Sequence, residues 1–150
     1  MRTVIQRVKE ASVFIDGASK AAIGSGLLIL AGFEASDNGE DLEWMVRKIT
    51  NLRIFDDSQG VMNLSVLQAG GQLMVVSQFT LHASTRKGNR PSYIKAAVPE
   101  IAVPLYESFC TMLEDHSGID VQTGVFGAAM EVKLTNDGPV TIIIDSKNRE

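Results

Sequence analysis

The sequence predicts a single α+β domain spanning residues 1–150, in which two main helices pack on β-sheet. Three observations predict it. Short segments of strand composition recur along the chain, two stretches repeat apolar residues at helical spacing, and the length suffices to bury about 70% of the unfolded chain's surface in one core.

Residues 3–8 and 11–15 both have strand composition, separated by the polar break Lys9-Glu10, and read as an opening antiparallel pair closed by Asp16-Gly17. Residues 26–33 are apolar throughout and predict a buried strand. Ser36 or Asp37 is the candidate N-cap of a first helix whose apolar stripe is Leu42, Met45, Val46 and Ile49. Residues 52–55 follow as a strand, ended by the turn Asp56-Asp57-Ser58-Gln59-Gly60. Gly70-Gly71 opens the run 72–81, apolar on both faces until its last residues, the pattern of a central strand.

Ile101, Leu105, Phe109, Met112 and Leu113 make the second helical stripe, stopped at Ser117-Gly118, where glycine suits a left-handed C-cap. Proline costs about 3 kcal/mol deep inside a helix, which puts the expected start of the regular helix at Pro104. Strands at 121–124, 130–134 and 140–144 and a polar tail at 147–150 complete the order. There is also a hint of duplication. The stretch 24–33 resembles 70–79, and the second copy carries Ser77 and Gln78 where the first has Ala31 and Gly32.

Composition excludes several function classes. The single cysteine, Cys110, rules out an intrachain disulfide framework, and two histidines, His82 and His116, are too few for a His/Cys zinc cluster, so no metal or cofactor is expected. The start of the chain alternates instead of forming an apolar signal core, and no apolar run approaches the roughly 18 residues that span a bilayer. A cytoplasmic protein without membrane contact is the expectation. The net charge of -4 argues against nucleic-acid affinity over the whole surface, yet Arg86-Lys87-Gly88-Asn89-Arg90 is a local basic run.

Two segments stand out chemically. Ser77-Gln78-Phe79-Thr80-Leu81 ends an apolar run with polar groups that, buried without partners, would cost roughly 1 to 3 kcal/mol each. Either Gln78 and Thr80 bond to neighbouring backbone, or the strand end is a site whose unpaired Phe79 and Thr80 amides face a developing oxyanion. Strand alternation would put Ser77 and Phe79 on one face and Gln78 and Thr80 on the other. The second segment, Asn136-Asp137-Gly138-Pro139-Val140-Thr141, has a proline at a strand beginning, and composition alone favours a plain trans turn there. Conventional catalytic sets are missing. Cys110 reads as an inert thiol with His116 on another helix face, Ser77 has no histidine base evident, and Asp56-Asp57 is turn chemistry.

These segments, with Thr85-Arg86-Lys87-Gly88-Asn89-Arg90-Pro91-Ser92 and Thr123-Gly124-Val125-Phe126-Gly127-Ala128, together resemble the D-aminoacyl-tRNA deacylase family, also called D-tyrosyl-tRNA deacylase. The resemblance runs from Gln6-Arg7-Val8 to Asp145-Ser146. It implies the layered β/β/α deacylase fold and a homodimeric hydrolase that cleaves the ester joining a D-amino acid, or mischarged glycine, to the terminal ribose of tRNA. Gln78 and Thr80 match the family's substrate-binding and catalytic residues, with Ser77 and Phe79 in the same segment. The resemblance further implies that Gly138-Pro139 is cis and reaches the partner subunit's active site, where it excludes L side chains. Arg7 matches the arginine that braces that motif, Met130 the residue expected to line the pocket, and Arg86, Lys87 and Arg90 would hold tRNA phosphates. His82-Ala83-Ser84 departs from the family, where an aromatic and an acidic residue are common. Two rival readings are a non-catalytic dimeric RNA-binding module and a general esterase using Ser77.

Overall fold

A computed structural model describes residues 1–149. Its strands are β1 (Arg2–Ile15), β2 (Ala18–Ile23), β3 (Gly26–Gly32), β4 (Phe55–Asp56), β5 (Met62–Leu64), β6 (Gln72–Ser77), β7 (Val121–Thr123) and β8 (Glu131–Asp145). Its two α-helices are α1 (Gly39–Asn51) and α2 (Pro99–Ser117), and a 3-10 turn occupies Phe79–His82. The architecture is the expected mixed α+β domain with layered sheets.

The main sheet runs β2-β1-β3-β6-β7, with β8 beside β1. The opening pair is one continuous strand: Lys9 and Glu10 do not break it, and the turn at Asp16-Gly17 leads to β2, which the sequence reading missed. β3 pairs the first half of β1 and β2 the second, so both halves of this long strand are used. The two strands expected at 130–134 and 140–144 are likewise one, β8, which follows β1 along its length.

Parallel pairing of β3 with β6 sets Gly26 against Gln72 and Ala31 against Ser77. That register is the alignment of the repeated stretches. The two copies therefore lie side by side.

Both helices pack on one face of the sheet, where Ile5, Leu27, Ile29, Leu73 and Val75 meet Leu42, Met45 and Ile49 of α1 and Phe109 and Leu113 of α2. On the opposite face Val8, Leu28, Met74 and Val76 close against Val13, Ala21 and Ile23, making a second apolar layer. The α1 stripe is buried as expected, but its N-cap is Asn38, which accepts from the Glu40 and Asp41 amides while Asp41 answers in a capping box. Asp37 is engaged elsewhere, by the buried Met1 ammonium and the Glu34 amide.

α2 begins at Pro99, earlier than expected, and continues through Pro104. Pro99 takes a first-turn position that needs no amide. Its buried face is Ala102, Tyr106, Phe109 and Leu113, and Gly118 closes it with φ 68°. Residues 52–55 yield only the short β4, paired with β5 across the Asp57 turn, where the Asp57 carboxylate accepts from the Gln59 and Val61 amides. No helix among the described residues is long and apolar enough to cross a membrane.

Candidate active site

β6 stops at Ser77, not at 81, and this changes how the motif is presented. The Gln78 amide still donates to the Ala31 carbonyl at 2.7 Å, after which the chain turns into the 3-10 segment. Strand alternation no longer applies. Gln78 and Thr80 meet, Nε2 donating to Oγ1 at 2.5 Å. The amides of Phe79 and Thr80 open the turn and donate to nothing among the described residues, as is usual where a helix begins.

The turn sits close to β3 because Gly32 permits it: a Cβ there would lie 2.7 Å from the Gln78 carbonyl oxygen. Its far end is held from beneath. Arg2 Nη1 donates to the Leu81 carbonyl at 2.7 Å, and His82 is buried with Nδ1 3.1 Å from Glu34 Oε1, without the alignment of a hydrogen bond.

Ser77, Gln78 and Phe79 line a pocket of about 370 Å³ whose other walls include Gly32, Tyr93 and Phe126. The Phe79 and Tyr93 rings meet edge to face at 5.0 Å. Tyr93 and Phe126 were not singled out as site residues. Only their place in the loops flanking the motif could have marked them. No carboxylate, imidazole or amine lines the pocket, so Ser77 has no base within it. Thr80 lines the groove on the other side of the turn.

The remaining candidates lie apart. Opposite Arg7, β8 bulges: Asn136 pairs with Val8 and Thr141 with Gln6, leaving residues 137–140 outside the ladder. Pro139 has no N-H for that ladder, and the Gly138-Pro139 bond is cis. Asn136 Nδ2 spans the bulge, donating to the Arg7 and Val140 carbonyls. Arg7 braces it from below, donating through Nε to the Asp137 carbonyl at 3.2 Å and through Nη1 to the Ile54 carbonyl at 2.7 Å. Gly138 and Pro139 are exposed and do not line the pocket of their own chain. Met130 does not line it either; its side chain covers Gly124 against the second apolar layer. Arg86, Lys87 and Arg90 are exposed on the loop after the turn.

Cys110 is not part of the site. Burial pushes its thiol up to about 11, the reverse of what a nucleophile requires.

The family model described as D-Tyr-tRNA(Tyr) deacylase matches residues 4–145. The chain belongs to the D-Tyr-tRNA deacylase family. This deacylase is 65% identical over 150 residues to the D-aminoacyl-tRNA deacylase of Parabacteroides distasonis and 63% identical to that of Bacteroides thetaiotaomicron, both covered in full. Its fold matches a solved structure titled c-Myc DNA Unwinding Element Binding Protein, with TM-score 0.93, 41% identity, and 97% and 98% of the two chains covered. A probable eukaryotic D-amino acid tRNA deacylase shares the fold at TM-score 0.81 and 18% identity, over 95% of this chain and 97% of that one. The deacylase is thus a hydrolase acting on the ester of D-aminoacyl-tRNA, and the reading as a non-catalytic RNA-binding module falls.

Proposed function

We propose that the pocket beside the Gln78–Thr80 turn hydrolyses the ester of D-aminoacyl-tRNA, and of glycine mischarged on tRNA, with the free Phe79 and Thr80 amides as oxyanion donors. The observation that carries this reading is that the turn holding those two free amides borders a pocket lined by no carboxylate, imidazole or amine. Such a site favours electrostatic stabilisation over covalent catalysis. Water adds to the ester carbonyl carbon, the carbonyl oxygen takes the developing charge against the two amides, and the ester C–O bond breaks with the proton passing to the ribose oxygen. The ribose 2′-hydroxyl orients the water. Gln78 holds Thr80 in place through their hydrogen bond.

Selection against L esters is assigned to Gly138-Pro139, delivered by the partner of a homodimer working in the cytoplasm. Three features support this assignment. The bulge is exposed and absent from its own pocket, β8 pairs with β1 alone, and Ile143 on that edge strand is 69% exposed. Arg7 fixes the height of the bulge, and Arg86, Lys87 and Arg90 take tRNA phosphates beside the pocket.

The test offers D-Tyr-tRNA and L-Tyr-tRNA at equal concentration. The expected result is hydrolysis of the D ester alone. Equal lability of the two would remove the proofreading assignment, and sedimentation as a monomer at assay concentration would remove the partner's role.

A further inference from the structure

One rung of the main sheet carries two of the contacts that hold the turn at Phe79–His82. Register sets Arg2 of β1 between Gly32 of β3 and Asp145 of β8. Gly32 lets the Gln78 carbonyl approach, and Arg2, one strand over, reaches the other end of the same turn. Its guanidinium is shared out. Nε and Nη2 donate to Asp145 Oδ2 at 3.0 and 2.9 Å, which leaves Nη1 to donate to the Leu81 carbonyl at 2.7 Å.

Leu81 depends on that donor. Within the turn the Leu81 amide donates to the Gln78 carbonyl at 3.3 Å and the Ala83 amide to the Thr80 carbonyl at 3.0 Å, but among the described residues no amide donates to the Leu81 carbonyl. The last carbonyls of a helical turn have no partner within it, and an arginine side chain can supply one. Two charge-assisted bonds to a single carboxylate, made to the residue directly opposite on the next strand, fix the direction in which the third nitrogen points. Asp145 thus aims Arg2 at the turn without touching the turn itself.

We propose that Arg2 is a positioning residue for ester hydrolysis and that Asp145 acts through it: the pair fixes the Leu81 peptide, and with it the place at which the Phe79 and Thr80 amides meet the ester oxygen. The inference rests on the reading of those amides as oxyanion donors. Arg2 does not line the pocket walled by Ser77, Gln78 and Phe79, so its effect on the reaction passes through the turn. The pair is partly exposed, with 37% of the Arg2 side chain and 19% of the Asp145 side chain accessible, and an ion pair so placed adds little to folding. Its contribution is geometric, and removing it should separate turnover from stability. Five residues along the same strand Arg7 braces the bulge, so β1 carries one arginine for the turn and one for the bulge.

Single-turnover hydrolysis of D-Tyr-tRNA at varied enzyme concentration tests the proposal, because it gives the maximal rate and the half-saturating concentration separately. Arg2→Gln should lower the maximal rate about tenfold, with half-saturation and the urea midpoint near their native values, since a displaced donor is missed only as the oxyanion forms. Arg2→Lys should lose nearly as much: one ammonium can reach the carbonyl or the carboxylate but cannot fork between them. Asp145→Asn should lower the rate in the same sense, and the double variant Arg2→Gln/Asp145→Asn should lose no more than Arg2→Gln alone. Arg53→Gln removes an arginine bonded to the Asn63 carbonyl instead, and should leave the rate unchanged. A native rate in Arg2→Gln, a full rate in Arg2→Lys, or losses that add in the double variant would overturn the proposal. Weaker half-saturation at a native maximal rate would overturn it in favour of a phosphate contact, and a rate that falls only with the urea midpoint would overturn it in favour of a purely structural pair. Absence of D-ester hydrolysis by the native protein would instead remove the reading of the amides, and is measured before any variant.

Discussion

Arg7 lies beneath the bulge of β8 with its Nε 3.2 Å from both the carbonyl oxygen and a carboxylate oxygen of Asp137. The same guanidinium reaches the Ile54 carbonyl and Asp56, so a single side chain ties the bulge to the loop after α1. A lysine carries the charge but not the fork. Arg7→Lys should therefore lose about 1 to 2 kcal/mol, the scale of leaving the buried Ile54 carbonyl without its donor, read as a lowered urea midpoint. The proposed filter adds a second readout: the ratio of D- to L-ester hydrolysis should fall. A variant with native stability and native selectivity would show that the brace is idle.

Thr80→Ala removes the acceptor of the Gln78 amide but leaves both free backbone amides in place. The expected loss in kcat/KM is about tenfold, short of the roughly 10²- to 10³-fold that follows removal of an oxyanion donor. A larger loss would move the chemistry from the backbone to the hydroxyl. The esterase alternative is checked directly by treating the protein with a fluorophosphonate and weighing it intact; no adduct on Ser77 is expected, and a stoichiometric adduct would revive that reading.

Gly32→Ala places a methyl 2.7 Å from the Gln78 carbonyl oxygen, a backbone atom that cannot swing aside. The turn must shift. Hydrolysis of the D ester should fall by at least about 10²-fold, since misplacement of about 1 Å carries a penalty of that order. Native kcat with native stability would mean that the turn tolerates displacement.

Two pH windows follow from the carboxyls and the thiol. Burial opposes ionisation of Asp41 and Asp145, but hydrogen bonds outweigh it, from Lys147 to Asp41 and from the Lys147 amide and Arg2 to Asp145, and hold both below the ordinary value of 3.8. Their stabilisation is complete above that value and is lost as pH falls through the lower folded values, so Asp41→Asn should flatten the acid limb of the unfolding midpoint against pH. Cys110 acts at the other end. Its thiol ionises at the ordinary 9.0 when unfolded and at about 11 when folded, so stability falls across that window, and Cys110→Ala should reduce the fall. A pH profile unchanged in either variant would refute the corresponding assignment.

Much of the fold was legible because burial imposes pattern. The stripe Leu42, Met45, Val46 and Ile49 is buried to the last residue, and the resemblance between 24–33 and 70–79 anticipates the register of β3 on β6. Breaks were read less well. Lys9-Glu10 looks like an end, yet exposed polar residues continue β1 where its partners β2 and β8 need pairing. The motif 77–81 looks like a strand because it is apolar on both sides, but its residues bend into a turn once Gly32 gives them room.

The site was legible in part. Gln78 and Thr80 stood out as polar groups at the end of an apolar run, and their partners proved to be each other. Tyr93 and Phe126 did not stand out, since aromatic residues in loops have no periodicity to betray them. Met130 was drawn from resemblance and in this chain packs over Gly124.

The side-by-side repeat has a consequence for how this chain can vary. β3 and β6 are similar stretches laid in register, and just past their last rung, Ala31 against Ser77, the first continues with Gly32 and the second with Gln78. One copy has become the floor on which the other works. Space and chemistry are thus divided between two similar stretches: the polar groups of the turn can sit where they do only while position 32 stays small, although a helix, a hairpin and a turn separate the two along the chain.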